Sequence, residues 1–159
     1  MWRSCNLRRC ENWRATLSVA RALVDTGAIV ALINRADRFH PQTTAWFRGF
    51  RGRLLTTEAV VAETAYVLAA SPEHQQAALT WVQRARAAAI LQVAAMEDHA
   101  ALARIIAKYA DLPCDYADAS LIWLGEKTGV LQIATIDQGD FSVYRVRGRR
   151  RFRILIGER

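Results

Sequence analysis

Two acidic residues open an apolar stretch of the chain, where a carboxylate is unexpected. Asp115 and Asp118 are three residues apart, so on a helix they share one face, one turn apart. An acid at a helix start is stabilised by the helix dipole and is explained as a cap. Asp118, however, enters the apolar run 119–124, and no Lys or Arg lies within a turn of it. Because a buried carboxylate needs a partner, Asp118 is predicted to belong to a site.

Three further acids stand where strands and helices are predicted to meet. Asp25 follows the apolar run 22–24, and Asp137 closely follows the apolar run 130–134. Short apolar runs of this kind predict buried parallel strands. In open α/β sheets, ligands bind beyond the carboxyl ends of the strands. Glu63 lies on a predicted helix that starts at the same edge, so these three acids are expected to converge there with Asp118.

A cluster of four carboxylates favours metal chemistry. Two unit charges ~5 Å apart cost about 3 kcal/mol at an effective dielectric of about 20, so the cluster requires protonation or a cation. The donors are all oxygen, with no clustered His or Cys, which favours Mg²⁺ or Mn²⁺ over zinc. Such an ion keeps water molecules and stabilises charge on a phosphoryl oxygen. Each acid alone also fits an ordinary cap or turn, and only their convergence argues for a site.

The order of predicted elements places these acids on an α/β framework. Strands alternate with helices, which predicts a central parallel sheet with helices on both faces, a three-layer α/β/α sandwich. Gly129 is expected to end the helix that begins near Asp115. The predicted strands are residues 22–24, 54–55, 90–93 and 130–134, with edge strands at 141–146 and 152–156. The predicted helices are residues 28–33, 41–50, 58–70, 72–88, 97–109 and 115–127.

Length and charge limit the classes of protein that remain. The 159 residues suit one domain, and no apolar run reaches the ~18 residues of a membrane helix. Without a recognisable secretory signal, the expected compartment is the cytoplasm. The formal net charge of +7 is concentrated in residues 1–20 and 145–159. Basic ends suit a polyanionic partner such as RNA, although a solvated tail is the alternative.

Four segments resemble a known family. They are LVDTGAIVAL at 23–32, TTEAVVAE at 56–63, DASLI at 118–122 and ATIDQGDF at 134–141. The residue types in these segments, and the order and spacing of the segments along the chain, resemble those of PIN-domain ribonucleases, most closely the VapC toxins of bacterial type II toxin–antitoxin pairs. The resemblance covers roughly residues 21–146, and its last two segments are the most specific. It implies a PIN-like fold.

The resemblance also assigns roles to residues. It implies that four acids are catalytic and bind the metal, namely Asp25, Glu63, Asp118 and Asp137. The residues expected to support the site are Asp115, Asp140, Thr26 and Thr135. Arginines expected to contact RNA phosphates, on weaker grounds of charge, are Arg35, Arg38, Arg149, Arg150 and Arg151.

The activity implied is that of a single-strand-selective endoribonuclease, a hydrolase that uses one or two Mg²⁺ or Mn²⁺ ions and leaves a 5′-phosphate and a 3′-hydroxyl. A homodimer is implied, together with a small VapB-like antitoxin whose C-terminal segment covers the acidic pocket. The chain departs from the family at both ends. Residues 1–20 are expected to be a loose extension and residues 147–159 a basic segment that contributes an edge strand.

Two other functions fit parts of the pattern. A PIN-fold module that binds RNA or protein with little or no cleavage is the main alternative, but a binding module has no need of four anions facing RNA. A haloacid-dehalogenase-like phosphatase is disfavoured because Asp25 lacks a second Asp two residues later. The RNA target and the identity of the antitoxin are not fixed by these motifs.

Overall fold

The computed structural model describes residues 20–157, so nearly all of the predicted N-terminal extension lies outside it. Ala20, the last residue assigned to that extension, is the first residue of a strand. The elements in chain order are β1 (Ala20–Val24), α1 (Thr26–Ile33), α2 (His40–Gly49), β2 (Gly52–Thr57), α3 (Glu58–Val67), α4 (Pro72–Ala87), β3 (Leu91–Ala94), α5 (His99–Lys108), α6 (Tyr116–Thr128), β4 (Gln132–Ala134), α7 (Gln138–Val143), β5 (Arg145–Val146), β6 (Arg150–Arg151) and β7 (Arg153–Ile154).

A five-stranded parallel sheet forms the centre of the protein, with the strand order β3-β2-β1-β4-β7. Strand β1 therefore lies between β2 and β4, and its last residue, Val24, is paired with Ala134 of β4. Because the strands are parallel, their carboxyl ends meet at one edge. The predicted α/β class with a central parallel sheet is confirmed.

Strand β1 is apolar because both faces of the sheet are covered. Ala22, Leu23 and Val24 are fully buried, as expected of a central parallel strand. Helices α1 to α4 contact one another as one group, and α5 packs on α6. Helix α6 also contacts α3, β2 and β5, which places it in the interior of the structure.

Helix α6 carries the acidic pair noted in the sequence. Asp115 caps its N-terminus, and Gly129 ends it with φ of 72°, as predicted. Eight of its 13 residues are buried because it is enclosed by other elements. Within residues 20–157, no helix, α6 included, combines the length and the apolarity that a bilayer span requires.

The predicted edge strand at residues 141–146 is wrong over its first half. Residues 138–143 form helix α7, which Asp137 caps, and only Arg145 and Val146 are extended. Phe141 and Tyr144 are three residues apart and are both buried, so the helical turn directs both rings into the core. Strand β5 pairs with β6 in a separate hairpin rather than with the central sheet.

The C-terminal segment is part of the fold. Strand β7 pairs in parallel with β4 at the edge of the central sheet, so an edge strand lies within residues 152–156 as predicted. Phe152 and Ile156, on either side of β7, are buried. The basic C-terminal sequence therefore contributes both a strand and core side chains.

Close backbone packing where β1 and β2 begin generates a test of this architecture. A Cβ atom at Gly52 would clash with the backbone carbonyl oxygen of Ala20, so Gly52→Ala is expected to lower the free energy of unfolding by about 1–3 kcal/mol. At Gly49, the last residue of α2, a Cβ meets nothing within 4 Å. Gly49→Ala is therefore expected to be neutral or slightly stabilising. Urea unfolding measures both, and equal stabilities would contradict the strand pairing.

Candidate active site

Asp25 lies at the carboxyl end of the central strand and is held from three directions. Its backbone N–H donates to the carbonyl of Ala134 at 3.0 Å. Its Oδ1 accepts from the N–H of Thr26 at 2.7 Å, and its Oδ2 accepts from the Thr135 hydroxyl at 2.8 Å. The side chain is only 6% exposed. Burial raises the pKa of Asp25 to about 6, although these hydrogen bonds oppose the shift.

Thr135 joins the end of β4 to the end of β1. Its buried hydroxyl donates to Asp25 and accepts from the N–H of Asp137 at 2.9 Å. The Thr135 hydroxyl therefore positions both the carboxylate of Asp25 and the backbone of Asp137. The role of Thr135 in supporting the site stays a prediction.

Glu63 faces the same region from α3. The Thr26 hydroxyl donates a short hydrogen bond to Oε2 of Glu63, so Thr26 contacts one acid through its backbone and another through its side chain. Burial, followed by the neighbouring acids Asp115 and Asp25, raises the pKa of Glu63 to about 7, and the bond from Thr26 opposes this rise. Glu63 is therefore close enough to interact electrostatically with Asp25, at the end of β1, and with Asp115, at the start of α6.

Asp115 and Asp118 occupy the first turn of α6. Asp115 accepts from the N–H of Asp118 at 2.9 Å and so caps the helix. Oδ2 of Asp118 accepts from the hydroxyl of Tyr144 at 3.0 Å. Burial and the charges of Asp115, Asp25 and Glu63 raise the pKa of Asp118 to about 7. Burial and the charge of Asp118 also raise the pKa of Tyr144 above its usual range.

Asp137 and Asp140 lie closer to solvent. Asp137 is exposed and caps α7 by accepting from the N–H of Asp140 at 3.0 Å. Its charge contributes to the raised pKa of Asp25. Partial burial and Asp137 raise the pKa of Asp140. The structure therefore places Asp137 beside Asp25 at the rim, with Asp140 one turn further along the chain.

Buried hydroxyls fix the helices that carry the acids. Thr57 caps α3, and its hydroxyl lies 2.6 Å from that of Ser120 on α6. Ser120 in turn donates to the carbonyl of Ala117 at 2.6 Å, and Thr56 donates to the carbonyl of Val24 at 2.9 Å. These bonds tie the starts of α3 and α6 to the ends of β2 and β1.

Sequence reasoning missed these contacts and the bond from Tyr144. A hint of these contacts in the sequence is that hydroxyl residues lie within apolar runs. Ser120, for example, comes two residues after Asp118. Tyr144 carried no signal because its segment was assigned to a strand.

Within residues 20–157, no basic side chain forms a salt bridge with an acid of the site. In the part of the chain that the structure describes, the salt bridge is the exposed pair Lys127–Glu97. In residues 20–157, no three His, Cys, Asp or Glu side chains are grouped closely enough to form a complete set of ligands for a metal ion. The carboxylates are near enough to raise one another's pKa values, but their side chains do not form a complete ligand set as they stand.

The predicted RNA-contacting arginines fall into two places. Arg35 and Arg38 are exposed beyond the C-terminus of α1, roughly 12 Å along the helix from Asp25. Arg149, Arg150 and Arg151 are exposed in the hairpin of β5 and β6. We call residues 145–151 the arginine hairpin. The hairpin directly follows Tyr144, so its base lies near Asp118.

The arginine hairpin is well defined. Arg147 and Gly148 have φ values of 50° and 72°, and the N–H of Arg149 donates to the carbonyl of Val146 at 3.3 Å. Both φ values are in the left-handed region, and residues 147–149 form a tight three-residue connection between β5 and β6. The Arg147 backbone N–H donates to the Glu126 side chain at 2.8 Å, which fixes the turn against α6. The arginines that follow the turn remain exposed on a rigid support.

A second concave surface lies away from the acids. This apolar groove of about 1350 Å³ lies between α2 and α4. Its aromatic lining comprises Phe47, Phe50 and Trp81, and its arginines are Arg48, Arg51 and Arg84. None of the acids of the candidate active site lines it, so the groove and the acidic site are separate surfaces.

The fold and the acidic edge define an α/β protein with a carboxylate-rich site at the ends of its central strands. A family model described as the PIN domain matches residues 22–146. The chain belongs to the PIN domain family. Among curated proteins, none has a sequence that matches this chain.

Solved structures agree with the family. One is the crystal structure of Mycobacterium tuberculosis VapC20, a sarcin-ricin loop cleaving toxin, with a TM-score of 0.67 and 18% sequence identity. The match covers 76% of this chain and 92% of that chain. The predicted PIN-like fold is thereby confirmed. VapC-type relatives in the family are nucleases, in agreement with the predicted class of hydrolase.

The pKa shifts give a testable dependence of stability on pH. The folded state holds the pKa values of Glu63 and Asp118 near 7, whereas unfolded carboxyls titrate near about 4. Between these values the folded state binds more protons, so stability of the metal-free protein is expected to fall as pH rises from about 4 to about 7.

Asp118→Asn removes one of these groups. Above pH 7, its free energy of unfolding is expected to exceed that of the wild type by roughly 1–2 kcal/mol, reduced from the full shift because the carboxyl is partly exposed. Urea unfolding in EDTA at several pH values measures this. Glu73→Gln, at an exposed acid of α4, serves as the control and should follow the wild type. Identical profiles for all three proteins would contradict the predicted shift.

Proposed function

We propose that this protein is a metal-dependent endoribonuclease toxin of the VapC type, which hydrolyses phosphodiester bonds in RNA. The observation that carries the proposal is the convergence of Asp25, Glu63 and Asp118 at the carboxyl edge of the sheet with no basic partner among the described residues. Membership of the PIN domain family and the VapC-like fold support the same reading.

The donor chemistry fits Mg²⁺ or Mn²⁺. The acids supply only oxygen ligands, and their mutual repulsion is relieved by a divalent cation. We assign Asp25, Glu63, Asp118 and Asp137 as the residues that would hold such an ion. When bound, the ion lowers the pKa of a water molecule and stabilises charge on the phosphoryl oxygens.

The residues of the chain position the reactants. Asp25 is immobilised by Thr26 and Thr135, so its carboxylate is held in place before substrate arrives. In the metal-free site, burial and the neighbouring acids raise the pKa values of Glu63 and Asp118 to about 7, so these carboxyls would release protons as a cation binds and would then hold it as carboxylates.

We assign the RNA backbone to the arginine hairpin. Arg149, Arg150 and Arg151 are exposed, and none forms a salt bridge with an acid of the described chain. Each phosphate that they neutralise releases counterions and favours binding. Arg35 and Arg38 would contact RNA further from the acids. The cytoplasm, where RNA substrates are present, is the compartment that we propose.

A protein partner is also proposed. The negative charge of the site suits an arginine from a small VapB-like antitoxin, and the apolar groove offers a surface for an apolar segment of such a partner. Homodimerisation is supported by two exposed apolar residues near the end of α3, Tyr66 at 81% and Val67 at 52% exposure.

The central test is cleavage of total cellular RNA by the purified full chain with Mg²⁺ or Mn²⁺ and with EDTA. We expect discrete cuts that EDTA abolishes and that Asp25→Asn or Asp118→Asn reduces about 100-fold or more. Glu73→Gln, outside the site, should cut normally. If folded protein free of partner leaves RNA intact with either metal, the RNA- or protein-binding module without cleavage replaces the nuclease.

A second test concerns the arginine hairpin. Replacing Arg149, Arg150 and Arg151 by Gln is expected to weaken binding of single-stranded RNA and to reduce the salt slope by about 0.7 for each lost phosphate contact. The measurement uses the Asp118→Asn background so that the RNA stays intact. The control replaces three exposed arginines of α4 and α5, namely Arg84, Arg86 and Arg104. An equal loss of RNA affinity in both triple variants would show that the arginine hairpin is not a specific RNA-binding surface.

A further inference from the structure

A buried tyrosine holds one of the proposed metal-binding acids. The side chain of Tyr144 is completely buried, and its hydroxyl donates to Oδ2 of Asp118 at 3.0 Å. We infer that Tyr144 is a positioning residue, which fixes the orientation of the Asp118 carboxylate and leaves Oδ1 as the oxygen available to a cation. This inference rests on the proposed nuclease function.

The ring of Tyr144 is fixed on two sides. It packs edge-on against Tyr109, with ring centroids 5.0 Å apart, and against Phe141 at 5.3 Å. Its backbone N–H donates to the carbonyl of Asp140 at 3.1 Å and ends helix α7. Because neither the ring nor the backbone is free to move, the hydroxyl is presented to Asp118 at a defined point.

The chemistry of the donor matters as much as its position. Lys or Arg at this place would form an ion pair with Asp118 and compete with a cation for the carboxylate. A phenol donates one hydrogen bond and adds no positive charge, so the carboxylate is oriented but keeps its affinity for a metal. Hydrogen bonds from outside the ligand set orient metal-binding carboxylates in this way.

Tyr144 also connects two parts of the site. Asp118 lies on α6, whereas Tyr144 follows α7, the helix that Asp137 caps. The bond between them therefore sets the distance from α6 to the segment that carries Asp137. Loss of the hydroxyl is expected to loosen this relation without removing any acid.

Tyr144→Phe removes only the hydroxyl and keeps the packed ring. We expect the affinity of the full chain for Mn²⁺, measured by calorimetry without RNA, to fall about 10- to 100-fold. With RNA, kcat is expected to fall while KM changes little. The matched control is Tyr109→Phe, because the Tyr109 hydroxyl is also in this aromatic cluster but accepts from the backbone N–H of Arg145 at 2.8 Å. This control should bind Mn²⁺ as the wild type does.

A double-mutant cycle separates positioning from general packing. In the Asp118→Asn background, Tyr144→Phe should cause no further loss of Mn²⁺ affinity, because the oriented carboxylate is already gone. Equal affinities of Tyr144→Phe and wild type, equal losses in both tyrosine variants, or additive losses in the cycle would each overturn the positioning role. If the wild type itself binds no Mn²⁺ and cuts no RNA, the proposed function fails together with this inference.

Discussion

Repulsion among carboxylates at one edge of the sheet is the constraint on which the rest of the structure depends. The sheet order places the end of β1 between β2 and β4, and the acids gather around that point. Burial and mutual charge raise the pKa values of Asp25, Glu63 and Asp118 toward neutrality. Such an arrangement costs free energy of folding at neutral pH, which a divalent cation or bound protons would recover.

Hydrogen bonds from hydroxyl groups and the N-termini of helices offset part of the free-energy cost of gathering the acids. Asp25, Asp115 and Asp137 each cap a helix, so the positive ends of three helix dipoles are directed at the acidic edge. Thr26 and Thr135 supply neutral hydrogen bonds to Glu63 and Asp25. Among the described residues, backbone and hydroxyl donors therefore hold the anions without a salt bridge from a basic side chain.

Much of this arrangement could be predicted from local sequence, since the apolar run before Asp25 and the acids at the start of α6 report on strands and caps directly. The features that the sequence did not predict correctly depend on tertiary contacts. Helix α7 has only six residues, too few for the periodicity of the sequence to distinguish a helix from a strand, so the sequence does not predict the burial of Tyr144 against Tyr109. The bond from Thr57 to Ser120 joins residues 63 positions apart, which no local pattern reveals.

The most direct test of the account is the number of protons released when Mg²⁺ binds to the full chain. Titration calorimetry at pH 6 and at pH 8.5, in buffers of different ionisation enthalpy, measures this number. If these acids form a cation site, Mg²⁺ binds and releases protons at pH 6, where the carboxyls are partly protonated, and the release of protons disappears at pH 8.5. Binding without proton release at pH 6, or no binding at either pH, would contradict a cation site built from these acids.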